Sequence, residues 1–293
     1  MSAFTLLHKI DCQNRLGEGV QWNPRDQSVW WTDIQSSLIY RYSPSEDRLH
    51  RWPTPERVSC FAFSRSDSRL LVAAGDGFAW LELDSGRLEW LARPEQPWPG
   101  NRMNDGRVDR QGRFWAGGIV ENPCQSGQTS SLYCFDGQQV RAGLQGLTIS
   151  NALCWNRAGT RMYHADSPQH RIMQYPFNPQ TGEIAGPGQL FAATETGVEP
   201  DGACIDSDDC LWNAQWGGGR VRRYSPDGRV LLSLEVPVSQ PTCVAFGGPD
   251  LSWLLVTSAT QGMDAQQREA EPLAGSLLIY KTNFRGLPEE CFI

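Results

Sequence analysis

NALCWNRAGTRMYH, residues 151–164, opens on a polar residue, runs through small and apolar residues to a tryptophan, breaks at a polar turn, and resumes as a second apolar run. Short apolar runs broken by Asn and Gly spell strand, tight turn, strand. The same pattern recurs at EGVQWNPRDQSVWW (18–31), SCFAFSRSDSRLLV (59–72), NDGRVDRQGRFWA (104–116), DGACIDSDDCLWNA (201–214) and TCVAFGGPDLSWLLV (242–256). The six copies start 41, 45, 47, 50 and 41 residues apart. One or two further strand-like runs follow each copy, such as SLIYRYSP (37–44), SSLYCFDG (130–137), HRIMQYPF (170–177), GRVRRYSPDG (219–228) and GSLLIYKT (275–282). A period of about 40–50 residues with about four strands per unit is the signature of a β-propeller blade.

A four-stranded sheet cannot bury both faces alone. Stacking blades around an axis buries them, and the ring closes without long open edges. The expectation is an all-β fold: a six-bladed β-propeller formed by residues 1–293 as a single domain. A two-sheet sandwich or a pair of β domains is the competing architecture, but no linker-like boundary interrupts the repeat. Residues 260–274, TQGMDAQQREAEPLA, read as an exposed excursion between strands of the last blade. Gly217-Gly218-Gly219 reads as a tight strand turn, because a phosphate loop needs a Lys-Ser/Thr pair and a following helix.

The bulk composition agrees. Closed all-β folds reach 293 residues as one domain. With 40% apolar residues, 12 tryptophans and 29 glycines, the chain suits many short strands and a sizeable core. A net charge of -7 without a Lys/Arg run excludes a basic nucleic-acid face. No stretch of about 18 apolar residues is present to span a membrane. The start, MSAFTLLHKIDCQN, lacks the pattern of a signal peptide, and the 9 cysteines are scattered without a CxxC pair, as in a reduced cytoplasmic protein. The 4 histidines show no HExxH or HxH spacing, which argues against a Cys/His zinc site.

In a propeller the same position of every blade lies on one ring about the axis. The first strand of each copy is short and rich in small residues, as an innermost strand should be, and the residue just before it is expected at the channel mouth. That column reads Glu18, Ser59, Asn104, Asn151, Asp201 and Thr242, every one with a side-chain oxygen. Turn positions favour such residues in any β protein, but six in register with the repeat favour a ring. Converging oxygens without His or Cys suit one divalent metal ion, Ca²⁺, Mg²⁺ or Mn²⁺, with Fe²⁺ or Zn²⁺ also open. The fold expectation therefore includes a central metal site.

RLGEGVQW (15–22) with WWTDI (30–34), then NRMNDGRVDRQGRFWAGG (101–118), ISNALCW (149–155), EPDGACIDSDDCLWNAQWGGGRVRRYSPDG (199–228) and PTCVAFGG (241–248) resemble, in order, the motifs of the SMP-30/gluconolactonase family, the regucalcin-like sugar lactonases. The resemblance covers nearly the whole chain. It implies a six-bladed propeller, one divalent metal, and metal-dependent hydrolysis of a sugar (aldono-)lactone to the aldonic acid in carbohydrate catabolism. By motif, the metal ligands fall on Glu18, Asn151 and Asp201, and the substrate contacts on Arg102 and Asn104. A further substrate-contacting Glu is carried onto Glu121 in GGIVEN (117–122), with Asn122 as the alternative. Ile119 and Val20 depart from the family's Met and Pro.

The chemistry expected of these residues is lactone opening, with Asp201 both ligating the metal and accepting a proton from the attacking water. Arg102 and Asn104 would orient the sugar ring. Competing roles are a salt bridge for Arg102, a turn for Asp105, turn capping for Asp33 and Asp166, and structural roles for His164 and His170; Asp166 is the outside candidate for the channel end. The rival functions are a propeller hydrolase of aryl esters or organophosphates and a non-catalytic scaffold or calcium-binding regulator. WD and GH signatures of interaction propellers are absent. Gluconolactone, xylonolactone, arabinolactone and galactonolactone are not ranked by the residues. Their discriminating side chains are expected on loops 93–101, 121–130 and 261–274.

Overall fold

Gly17–Asn23 and Ser28–Asp33 are buried along their whole length, whereas Arg48–Pro53, fourth in the same sheet, is exposed at nearly every position. A strand covered on both faces loses polar alternation, which is why the first two runs of each repeat read as near-continuous apolar stretches. The burial gradient orders the sheet from a covered inner strand to a solvated outer one. The computed structural model describes residues 3–64, 69–122 and 129–293.

Blade 1 runs outward as Gly17–Asn23, Ser28–Asp33, Leu38–Ser43 and Arg48–Pro53, all antiparallel neighbours. Blades 2, 3 and 5 repeat this order from the innermost strands Val58–Phe63, Asn101–Val108 and Glu199–Ile205. Blade 4 starts at Ser150–Trp155, and its third strand, Arg171–Asn178, pairs with both Glu183–Ile184 and Gln189–Ala193. Blade 6 takes Pro241–Gly247, Trp253–Ser258 and Leu277–Thr282, and its fourth strand comes from the other end of the chain. Phe4–Ile10 pairs antiparallel with Leu277–Thr282, from Phe4 opposite Thr282 to Ile10 opposite Leu277. The ring is thereby closed, and only the short outer strands of the blades keep a free edge. The fold is all-β, a six-bladed β-propeller, as the repeat predicts.

Each junction between neighbouring blades holds its own apolar cluster. Trp30 and Ile39 of blade 1 pack with Phe61 and Val72 of blade 2, and Val20 and Trp31 of blade 1 pack with Ala245 and Leu255 of blade 6. The remaining four junctions are built alike, for example around Phe78 and Phe114, Trp115 and Trp155, Tyr163 and Tyr224, and Trp212 and Phe246. At about 25 cal/mol per Å² of apolar surface, burial between blades is what makes the sheets cohere.

The turns between first and second strands use side-chain oxygens as substitutes for ladder partners. Asp109 accepts from the backbone N–H groups of Gln111 and Arg113, from Arg113 Nε at 2.6 Å and from Trp115 Nε1 at 3.0 Å. Asp206 does the same in blade 5, with Trp212 Nε1 at 2.9 Å and Arg223 Nε at 2.7 Å. The excursion in blade 6 holds an exposed helix, Ala265–Ala270, capped by a reciprocal Asp264–Gln267 box. Gly217, Gly218 and Gly219 form the tight turn into the strand Arg220–Tyr224, as expected.

The C-terminal segment lies across the ends of the inner strands where these turns sit. Arg285 and Gly286 hydrogen-bond to Ser207 and Leu251, Ile293 bonds to Gly112, and Phe292 packs on Phe135 and Trp80. Glu289 reaches Arg107, buried on the inner strand of blade 3, in a salt bridge. The eight cysteines among the described residues are free, and Cys124 lies outside them. Among the described residues no helix is long and apolar enough to cross a membrane.

Candidate active site

All six innermost strands carry a register shift at the column read from the sequence. The ladder slips between Glu18 and Gln21, Val58 and Cys60, Met103 and Gly106, Asn151 and Cys154, Pro200 and Ala203, and Pro241 and Val244. A β-bulge re-aims the side chain that it carries. The column therefore lies inside the inner strands and not just before them, a difference from the sequence expectation. Gly19 and Ala152 take left-handed φ values of 59° and 55° directly after Glu18 and Asn151. Glycine does so freely, whereas for Ala152 it is backbone strain beside the site.

Four of the six column residues turn toward a common cavity. Glu18, Asn104, Asn151 and Asp201 line it together with Arg102, Ser167, Glu199 and Gln261, and its apolar walls are Leu16, Ile119, Ile149 and Trp216. Its volume of about 230 Å³ suits one small ligand. Ser59 and Thr242 differ from the other four. Their hydroxyls donate to the carbonyls of Met103 and Gly17, tying neighbouring inner strands together.

The amides are oriented by a chain of hydrogen bonds. Asn151 Nδ2 donates to Ser167 Oγ at 2.8 Å, and Ser167 Oγ donates onward to the Pro200 carbonyl at 2.8 Å. Asn151 Oδ1 is thus turned away from Ser167 and receives Asn104 Nδ2 at 3.1 Å. Asn104 Nδ2 also reaches the Ser150 carbonyl at 3.0 Å, while its Oδ1 accepts from Arg102 Nη1 at 2.8 Å. Gly117 permits this approach, since a Cβ there would stand 1.9 Å from Ser150 Oγ.

The carboxylates are held differently. Among the described residues no side chain donates to Glu18 or Asp201; each has only a backbone N–H, from Gly19 and Gly202. Burial, and next the Asp105 carboxylate, push Glu18 up to about 8. Burial, then Glu18 and Asp105, push Asp201 well above the ordinary carboxylate range. Burial raises Asp105 too, although it accepts the Leu153 N–H at 3.0 Å. Asp105 is therefore no turn residue: it belongs to an inner strand and satisfies an amide at the bulge of the next blade. Two buried carboxylates to which no described side chain donates, beside an amide oxygen held in place, are a donor set that fits a hard divalent ion. Among the described residues no three His, Cys, Asp or Glu side chains form a metal-holding group, so such an ion needs the Asn151 amide.

Arg102 is only 2% exposed, and burial lowers its pKa. Its Nε donates to Glu121 Oε1 at 2.7 Å, and Arg57 Nη2 lies 2.9 Å from Glu121 Oε2. Burial alone would raise Glu121, but Arg102 and Arg57 hold it at about 2. With Gln35 as a further donor at 3.2 Å, Glu121 is occupied and stands behind Arg102 rather than along the cavity wall. Asn122 does not line the cavity either.

The remaining candidates are structural. Asp33 accepts the N–H groups of Arg15 and Leu16, and Asp166 those of Thr148 and Ile149, so both cap the approach to an inner strand. His164 is buried against Ser150 Oγ at 2.8 Å, and His170 Nδ1 pairs with the Val198 carbonyl at 3.0 Å. Of the loops expected to discriminate substrates, 261–274 contributes Gln261, and residues 123–128 lie outside the described part. Glu199, Trp216 and Ser167 were missed by the column because they sit one or two residues off it or on second strands and their connections; the neighbouring motif EPDG was the available signal for Glu199.

A family model described as SMP-30/Gluconolactonase/LRE-like region matches residues 16–260. A 6-deoxy-6-sulfogluconolactonase of Pseudomonas putida is 36% identical over 94% of this chain and 94% of its own. An L-arabinolactonase of Azospirillum brasilense is 34% identical over 94% of this chain and 92% of its own. Among solved structures, a calcium-binding regucalcin from Agrobacterium tumefaciens superposes with a TM-score of 0.91 at 31% identity, covering 98% of both chains.

Proposed function

The chain belongs to the SMP-30/gluconolactonase/LRE-like family, and from that premise we propose that it is a carboxylic ester hydrolase that opens a sugar lactone to the aldonic acid, with one divalent metal ion, in carbohydrate catabolism. The observation that carries the reading is the meeting of Glu18, Asn151 and Asp201 at one cavity with Arg102 and Asn104 beside them. Relatives named for a sulfogluconolactone and for L-arabinolactone support lactone chemistry while differing in the sugar.

Glu18, Asn151 and Asp201 hold the metal in this proposal, and the calcium-binding relative supports a divalent ion without selecting it. The ion, when bound, supplies Lewis-acid polarisation of the lactone carbonyl. Asp201 takes the proton of the attacking water as that water's oxygen bonds to the carbonyl carbon. The bond from that carbon to the ring oxygen then breaks, the ring oxygen takes up a proton, and a carboxylate and one proton leave. Asn104 and Arg102 orient the ring, and Glu121 fixes Arg102 as a positioning residue instead of touching the sugar over its length. The free cysteines support a reducing compartment such as the cytoplasm, and one propeller domain carries the whole site.

The test is a proton-release assay over a panel of aldonolactones, with phenyl esters alongside, using chelator-treated protein reloaded in turn with Ca²⁺, Mg²⁺, Mn²⁺, Zn²⁺ and Fe²⁺. Lactone opening that the chelator abolishes and a metal restores is expected. Metal binding without lactone opening overturns the enzyme reading in favour of a calcium-binding regulator, and faster phenyl-ester turnover points to another propeller hydrolase.

A further inference from the structure

We propose that Glu199 is a specificity-determining residue that restricts this site to lactones without a charged substituent, an inference that rests on the lactonase reading above. The cavity is lined by four charged side chains, Glu18, Glu199, Asp201 and Arg102. Arg102 is the sole cation among them, and it is engaged by Glu121 at 2.7 Å, the carboxylate that also pairs with Arg57. Residues 123–128, PCQSGQ, contain no Lys or Arg to add another.

A dication held by Glu18 and Asp201 cancels two of the three lining carboxylates and leaves Glu199. The Glu199 side chain makes no hydrogen bond or ion pair among the described residues. It is half-buried at the start of the inner strand of blade 5, directly across the ladder from Trp216, which also lines the cavity.

An unpartnered carboxylate beside an indole ring accepts hydrogen bonds from sugar hydroxyls and offers an apolar face to sugar C–H groups. The same carboxylate repels a phosphate, sulfonate or carboxylate on the ring's exocyclic carbon. Selectivity of this kind is built by exclusion: the neutral sugar gains one acceptor, and the anionic one meets an uncompensated like charge.

The experiment compares glucono-1,5-lactone with its 6-phosphate as substrates of the metal-loaded protein, corrected for spontaneous opening, in wild type, Glu199→Gln and Glu199→Lys. Binding of 1,5-anhydroglucitol and its 6-phosphate, which cannot react, is measured in parallel by thermal shift. Wild type is expected to prefer the neutral compound at least about tenfold in both kcat/KM and binding. Glu199→Gln should narrow both ratios about tenfold, and Glu199→Lys further. Equal handling of the phosphorylated compounds by wild type, or ratios unmoved in Glu199→Gln, overturns the proposal. Failure of wild type to open either lactone sinks the lactonase reading instead, and the binding ratios then decide the role of Glu199 separately. Should Glu199→Lys fail to fold, Glu199→Gln alone carries the test.

Discussion

Asn104 Nδ2 donates to Asn151 Oδ1 at 3.1 Å, so an inner-strand side chain of blade 3 sets the orientation of its counterpart in blade 4. Neither amide can rotate without breaking a further bond, to Arg102 on one side or Ser167 on the other. The two blades thus share one polar unit.

Asn104→Asp replaces the donated N–H with a carboxylate oxygen facing Asn151 Oδ1. Loss of such an orienting partner weakens metal affinity about 10–100-fold. The metal concentration for half-maximal activity should rise by that factor, and calorimetric titration with the activating ion should show the same shift. An unchanged metal requirement would remove Asn104 from the ligand-orienting role.

Glu121→Gln keeps the shape of the side chain and deletes its charge. Arg102 is then left buried beside Arg57 with no carboxylate, a loss of up to about 3 kcal/mol for a pair of this burial. Because Arg102 orients the sugar, KM should rise more than kcat falls. A fall in kcat at constant KM counts against positioning.

Asp109→Ala removes four hydrogen bonds at the turn of blade 3, including the ion pair to Arg113 and the bond to Trp115. Breaking a buried pair of this kind costs about 3–5 kcal/mol. Urea unfolding should show the loss, while kcat/KM per folded molecule stays constant because Asp109 sits at the other end of the inner strand from Asn104.

His164 sets an acid limit. Burial pulls its pKa from 6.5 to about 3. Above pH 6.5 the neutral ring has its full stabilising effect; as pH falls toward 3, the unfolded chain takes up a proton that the folded chain refuses, and stability drops by about 1.4 kcal/mol per pH unit. His164→Asn, which can still bond Ser150, should flatten the decline of the urea midpoint between pH 6.5 and 4. Parallel curves for the two proteins would show that other groups set the limit.

The blade number was readable because buried inner strands recur with their turn residues at a near-constant spacing, and the oxygen column because each blade places it alike. Burial on both faces makes Trp30, Trp115 and Trp212, at one register of the second strands, print the same pattern. Other features have no such local imprint. The bulges that turn Glu18 and Asp201 inward depend on a ladder slip against a second strand. Phe4–Ile10 alternates too weakly to announce that it completes a sheet begun at Pro241. Asp105 looked like a turn residue because Asp-Gly is a frequent turn pair, and only the neighbouring blade shows that its carboxylate serves Leu153. The capping roles of Asp33 and Asp166 were legible, since each closes a second strand.

The salt bridge between Glu289 and Arg107 ties the tail, which touches four blades, to the inner strand that carries Asn104. In the proposed reaction the product leaves as an anion, so the Glu199 carboxylate that would repel a charged sugar would also loosen the hold on the product.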